Sequence, residues 1–190
     1  MMIFEDDIKN SLKILKDGGV ILYPTDTVWG LGCDATNQKA VEKIFRIKAR
    51  SECKSLIVLV DSETMLQRYV REIPEAASEI NELSDTPVTI VYPEARNLAS
   101  GIPGEDGSVG IRITTDEFCS VLIGRFRKPI VSTSANLSGE PAPSHFGEVS
   151  GVIMDSVDYT VMYKREDRQK HKASKVIKFE KNGVFKILRS

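Results

Sequence analysis

Histidine is scarce, two in 190 residues. No H-E-x-x-H pair and no histidine cluster occurs, so a protein-held zinc site has nothing to build on. The D-x-D-x-D-G calcium loop is missing as well. The three cysteines, Cys33, Cys53 and Cys119, are odd in number and lack C-x-x-C spacing. That predicts reduced thiols rather than a disulfide frame or a redox pair. Neither sign of charge is in excess: 26 Lys plus Arg against 27 Asp plus Glu leave a net of -1. The whole-molecule field therefore carries no nucleic-acid signature, and any polyanion has to be met locally. No apolar run is long enough to span a bilayer, and the acidic start MMIFEDDIKN does not read as a signal peptide. The expectation is a cytoplasmic protein with no membrane attachment.

What is present fits one α/β domain over residues 1–190, since 41% apolar residues can bury one substantial core. Ile8, Leu12 and Leu15 share a face after an acidic turn, and Gly18-Gly19 ends that helix. Strands are expected at 20–23, 56–60, 87–92, 108–113 and 129–133, with helices over about 38–48, 75–83 and 116–125. Two alternating runs, 176–179 and 184–187, flank Asn182-Gly183, the favoured pair of a type I′ turn. Between Tyr163 and Lys175 six basic residues face only Glu166 and Asp167. That stretch reads either as a lid or as a solvated loop.

Three segments carry polar chemistry at strand or helix ends, where ligands of open α/β sheets bind. Pro24 to Gly32 packs hydroxyls, a carboxylate, an aromatic and two glycines straight after an apolar strand. Gly30-x-Gly32 lacks the third glycine of a dinucleotide fingerprint, and the same residues could form an ordinary Asp/Thr turn. Lys48, Arg50 and Lys54 gather at a helix end. They could simply cap it, or they could bind phosphate, the Arg as a planar fork and the Lys as a point charge. A triphosphate needs such groups because the chain has no Walker A sequence. Ser132 to Gly139 adds four hydroxyls and one amide, able to hydrogen-bond phosphate, ribose or carboxylate without adding charge. With no G-x-S-x-G elbow and only His145 nearby in sequence, a serine-hydrolase triad is disfavoured. Arg112, in the strand-like run Ser108 to Ile113, is a solvated side chain or, if its face lines a cleft, an anion clamp.

Taken together, P-T-D-T-V-W-G-L-G at 24–32, K-A-R at 48–50, L-I-V-L-V at 56–60, V-G-I-R at 109–112 and S-A-N-L-S-G at 134–139 resemble the YrdC-like family of L-threonylcarbamoyladenylate synthases, over about residues 10–189. The resemblance implies a twisted mixed sheet flanked by helices, with a deep basic cleft. It implies an enzyme, a nucleotidyltransferase that forms threonylcarbamoyl-AMP and pyrophosphate from L-threonine, bicarbonate and ATP. The product serves the threonylcarbamoyladenosine modification of tRNA next to the anticodon.

By the same resemblance Lys48, Arg50, Ser134 and Asn136 match a polar catalytic tetrad. Arg50, Lys54, Ser108, Ser134 and Arg189 match positions facing ATP, and Thr27, Arg112, Ser132 and Ser174 match positions holding threonine. Magnesium would arrive with ATP, no metal would be held by the protein, and the product would pass to a tRNA threonylcarbamoyl transferase complex. Direct tRNA binding is left open. Asp85-Thr86-Pro87-Val88-Thr89 replaces the family's P-G-P-L-T, Leu59 stands where many members have histidine, and Ser174-Lys175 replaces a common Ser-Thr. The alternatives are an RNA-binding module, disfavoured by the 7% aromatic content, and a paralogue without this activity.

Overall fold

The N-terminal helix α1 (Glu5–Lys16) shows how the chain fastens itself. Ile8 and Leu15 are fully buried, and Phe4 meets Phe118 edge-on at 5.5 Å. The buried carboxylate of Asp7 accepts hydrogen bonds from Tyr159 Oη (2.6 Å) and from the backbone N–H of Met162 and Tyr163 (2.9 Å each). One helix thereby pins a segment some 150 residues downstream. The computed structural model describes residues 2–49 and 56–190. Cys53, Arg50 and Lys54 therefore lie outside the described residues, while Cys33 and Cys119 are free, buried thiols that burial pushes up in pKa.

The elements follow as β1 (Ile21–Tyr23), β2 (Gly30–Gly32), α2 (Gln38–Ile47), β3 (Ile57–Val60), α3 (Glu63–Leu66), α4 (Glu75–Leu83), β4 (Val88–Tyr92), β5 (Val109–Ile113), α5 (Glu117–Phe126), β6 (Ile130–Ser134), α6 (Gly151–Ser156), β7 (Tyr159–Thr160), β8 (Lys175–Phe179) and β9 (Phe185–Arg189). Caps explain the helix starts. Asn37 Oδ1 accepts from Lys39 N and Ala40 N, Ser62 Oγ from Met65 N, and Asp116 Oδ1 from Cys119 N.

Among the described residues the strands form one mixed sheet in the order β7-β1-β2-β6-β3-β5-β4-β8-β9. Its middle strands β6, β3 and β5 are mostly buried, and β3 is apolar throughout, whereas β5 carries Arg112 and β6 carries Ser132, Thr133 and Ser134. Pairs β3–β5, β4–β8 and β1–β7 are parallel and the rest antiparallel. Packed α1 and α5 cover one part of the sheet.

Three features differ from the sequence reading. Gly30–Gly32, read as part of a loop, is a strand. Leu31 is buried, and a Cβ on Gly32 would lie 2.5 Å from Cε1 of Tyr23, so only glycine lets the ring cross there. The C-terminal hairpin exists, but its turn is not type I′. Gly183 alone has positive φ (83°), Gly183 N donates to Glu180 O, and Glu180 N donates to Val184 O. A three-residue loop with glycine in the left-handed position results. Finally, α6 and β7 arise in a stretch with no periodic signal long enough to announce them.

Candidate active site

Register brings the separated segments to one sheet face. Gly30 pairs with Ser134, Ser132 with Ile57, Ile57 with Gly110, and Leu59 with Arg112. Cross-strand partners and residues two apart point the same way, so Gly30, Ser134, Ser132, Ile57 and Arg112 share a face. Above it lies a cleft of about 280 Å³ lined by these residues together with Val28 and Thr133, and bounded by Ala142 on one side and by Ala173, Ser174 and Arg189 on the other. Gly30 keeps the floor open: a Cβ there would sit 3.3 Å from Thr133 O and 3.6 Å from Ser132 Oγ. Leu59, the partner of Arg112, is itself fully buried.

Two guanidinium groups dominate the electrostatics. Arg112 is only 3% exposed, contrary to the solvated reading of its strand position. Its Nη2 donates to Thr27 Oγ1 (3.2 Å) and lies 2.9 Å from Asp26 Oδ1, while Nη1 reaches Thr89 Oγ1 at 3.5 Å. Thr27 Oγ1 is held in turn by a 3.0 Å hydrogen bond shared with Thr25 Oγ1, which donates to Val28 O. Arg189 donates through Nε to Ser174 O (2.8 Å) and through Nη2 to Ser174 Oγ (3.3 Å), and Ser174 Oγ is 2.7 Å from Thr89 Oγ1. Hydroxyls of Thr89 and Ser174 thus bridge the two cations. Burial and the neighbouring Arg112 push the Arg189 pKa down, as expected where like charges face each other without a counter-ion between them. Such a pair favours an anion.

Lys48 occupies the C-cap of α2 but does more than cap it. It is 2% exposed, and its Nζ donates to Ser134 O (2.5 Å) and Asn136 O (2.8 Å), while its own carbonyl accepts from Ser138 N (3.0 Å). The K-x-R and S-x-N segments are therefore physically stitched together. Asn136 shapes the same loop by donating from Nδ2 to Leu137 O and Glu140 O, and its buried Oδ1 has no hydrogen-bond partner among the described residues. Ala49 takes a left-handed φ of 47° just after the helix.

Of the residues expected at a site, Arg112, Ser132, Ser134, Ser174 and Arg189 line the cleft, and Thr27 touches it through Arg112. Lys48 and Asn136 support its rim. Ser108 is not gathered with them: its Oγ and N both donate to Asp106, which also pairs with Lys178. The basic stretch is fastened rather than free. Lys164 pairs with Asp116 at 2.7 Å, Arg165 donates to Val161 O and Thr160 O, and His171 N donates to Ser144 O. Its end supplies a cleft wall through Ala173 and Ser174. Sequence reasoning did not single out Asp26 or Thr89. Asp26 is the one acid in segment 24–32, which was the available signal; Thr89 had none.

A family model named Sua5/yciO/yrdC, described as telomere recombination, matches residues 13–190. The chain belongs to the Sua5/yciO/yrdC family. Among Sua5/yciO/yrdC relatives, the threonylcarbamoyl-AMP synthase of Pseudoalteromonas translucida is 36% identical over 160 residues, covering 83% of this chain and 86% of the relative. That of Psychromonas ingrahamii is 37% identical over 141 residues, covering 73% and 74%. P. abyssi Sua5 complexed with L-threonine superposes with a TM-score of 0.85 at 27% identity, over 100% of this chain and 55% of that one. The chain thus spans about half the length of P. abyssi Sua5. E. coli YciO shares the fold, with a TM-score of 0.83 at 21% identity over 97% of this chain and 89% of that one.

Proposed function

We propose that this chain is a threonylcarbamoyl-AMP synthase, a nucleotidyltransferase that joins L-threonine, bicarbonate and ATP into threonylcarbamoyl-AMP and releases pyrophosphate. The observation that carries the reading is the pair of guanidiniums, Arg112 and Arg189, bridged by hydroxyls over a serine-lined sheet face. It is supported by 36% identity to a relative named for that activity.

In this reading Arg112, Thr27, Ser132 and Ser174 hold the threonine, with Arg112 taking the carboxylate. Arg189, Ser134, Arg50 and Lys54 face the nucleotide. Lys48 and Asn136 act with them by holding the 134–138 loop in place. Ser108 belongs to the nucleotide side only when its hydroxyl exchanges Asp106 for the ligand. At about 280 Å³ the described cleft lies at the lower end of small-molecule sites, enough for the amino acid and the phosphate end of ATP.

The chemistry proceeds by addition of threonine's amine to carbon dioxide drawn from bicarbonate, giving a carbamate. A carbamate oxygen then attacks the α-phosphorus, and the bond to pyrophosphate breaks. The carbamate and ATP are both anionic, so preorganised cations and donors supply the main assistance. Among the described residues no group of three or more His, Cys, Asp and Glu gathers to hold a metal. Magnesium would enter with the triphosphate, whose oxygens suit that hard cation. The mixed anhydride product is labile, which suits transfer to a tRNA threonylcarbamoyl transferase complex in the cytoplasm, with tRNA as the final acceptor. Among the described residues no helix is long and apolar enough to cross a membrane.

The test is incubation of the pure protein with ATP, magnesium, bicarbonate and each amino acid in turn, reading pyrophosphate and the adenylate. Threonine should support strong turnover and the others little. Absence of threonine-dependent pyrophosphate release, together with salt-dependent RNA binding, would replace this reading with a nucleic-acid-binding role.

A further inference from the structure

Asp26 is the acid that the proposed chemistry leaves unused. Its side chain is 8% exposed and its Oδ1 stands 2.9 Å from Arg112 Nη2. Yet among the described residues neither carboxylate oxygen has a hydrogen-bond partner, and Nε of Arg112 has none either. The contact is close but misaligned: charge meets charge without an N–H directed at an oxygen. Buried carboxylates that accept nothing are rare in native proteins, because the lost solvation is not returned.

The neighbours offer no remedy from within the chain. Thr25 Oγ1 donates to Val28 O, and Thr27 Oγ1 accepts from Arg112. Tyr23 and Cys119, which also feel the Asp26 charge, are driven further towards their neutral forms by burial, and their protons are directed to Val131 O and Pro24 O. Asp26 also lines a small cavity of about 120 Å³, whose other acid, Asp85, adds negative charge. Arg112, which lines the main cleft, touches Asp26, which lines the small cavity, at 2.9 Å.

An ionised carboxylate can only accept, so whatever completes Asp26 must bring N–H donors, preferably charged. Whatever completes Arg112 must bring a carboxylate or phosphate. A small ligand bearing both, on one carbon, is an α-amino acid. The geometry points to Asp26 as a specificity-determining residue that receives the α-amino group of the amino acid whose carboxylate Arg112 holds. This rests on the reading of the cleft given above and adds to it the end of the substrate that Asp26 reads.

The experiment is calorimetric titration with L-threonine and with the 2-hydroxy acid that carries a hydroxyl in place of threonine's amine. Wild-type protein should bind threonine at least about tenfold more tightly, the scale of one charge-assisted hydrogen bond. Asp26→Asn should weaken threonine by about 10- to 100-fold and the hydroxy acid by less than about threefold, so that discrimination disappears. Were Asp26 only a prop for Arg112, both ligands would weaken equally and the ratio would persist, which overturns the proposal. If Asp26→Asn does not fold, wild-type discrimination decides alone: equal affinity for the two ligands overturns the proposal. Wild-type protein that releases pyrophosphate with threonine but fails to discriminate loses only this inference. Protein that binds neither ligand loses the amino-acid site as well.

Discussion

Arg112 and Asp26 together form a buried ion pair with side chains 3% and 8% exposed. Breaking such a pair from one side leaves an uncompensated charge, so Arg112→Ala should lower unfolding stability by about 3–5 kcal/mol, read from urea denaturation. Replacing both partners, as in Arg112→Met with Asp26→Leu, should recover most of that stability, because two desolvated charges leave together. Threonine-dependent turnover should stay lost in both variants. At this scale the residue types were legible in the sequence and their partners were not. Lys48 stood out as a cation at a helix end, but its ammonium reaches two carbonyls at the end of β6 and just after it, far away along the chain. The carboxylate of Asp26 was visible in its segment but given no role, because its burial depends on Arg112, supplied by β5.

Among the elements, α1 is joined to the far end of the chain through Asp7. Asp7→Ala would leave Tyr159 Oη and two backbone N–H groups without their acceptor. The expected cost is on the order of 3 kcal/mol, since bonds to a charged group are each worth more than neutral ones. A drop in the urea midpoint, with turnover per folded molecule retained, is the outcome that checks it. Helices α2 and α5 were legible because caps and apolar periodicity agree, whereas α4 starts at Pro74 without a side-chain cap hydrogen bond and buries only Ala77. Strand β2 was hidden by its glycines, chosen for the closeness of Tyr23 rather than for strand propensity. Asn182-Gly183 correctly marked a hairpin, yet the turn took a third residue and a different geometry.

For the whole molecule, near-neutral charge conceals many local pairings. Hydrogen bonds from Lys178 and from Ser108 hold the Asp106 carboxyl well below the usual carboxylate range, and a hydrogen bond from Lys181 lowers Glu94. A lowered folded-state pKa means stability that is fully present above the ordinary carboxylate pKa of about 4 and is lost as pH falls towards the folded value. Thermal melts from pH 7 downward should therefore lose Tm mainly below about pH 4, and Asp106→Asn should flatten that acid limb without altering Tm near neutrality by as much. The α/β class was legible from alternating patterns. The strand order was not, because strands of two to five residues carry too little pattern to specify which neighbours they choose.

One topological fact has an outcome of its own. Arg189 sits on β9, the outermost strand, which rests on β8 alone, while Ser174 immediately precedes β8. Half of the cationic grip is thus mounted on the margin of the sheet, where a single ladder resists fraying and every β9 residue is open to solvent. Peeling of that margin would release whatever anion is gripped there while the interior stays folded, so the hold on ligand is set by the least secured part of the molecule.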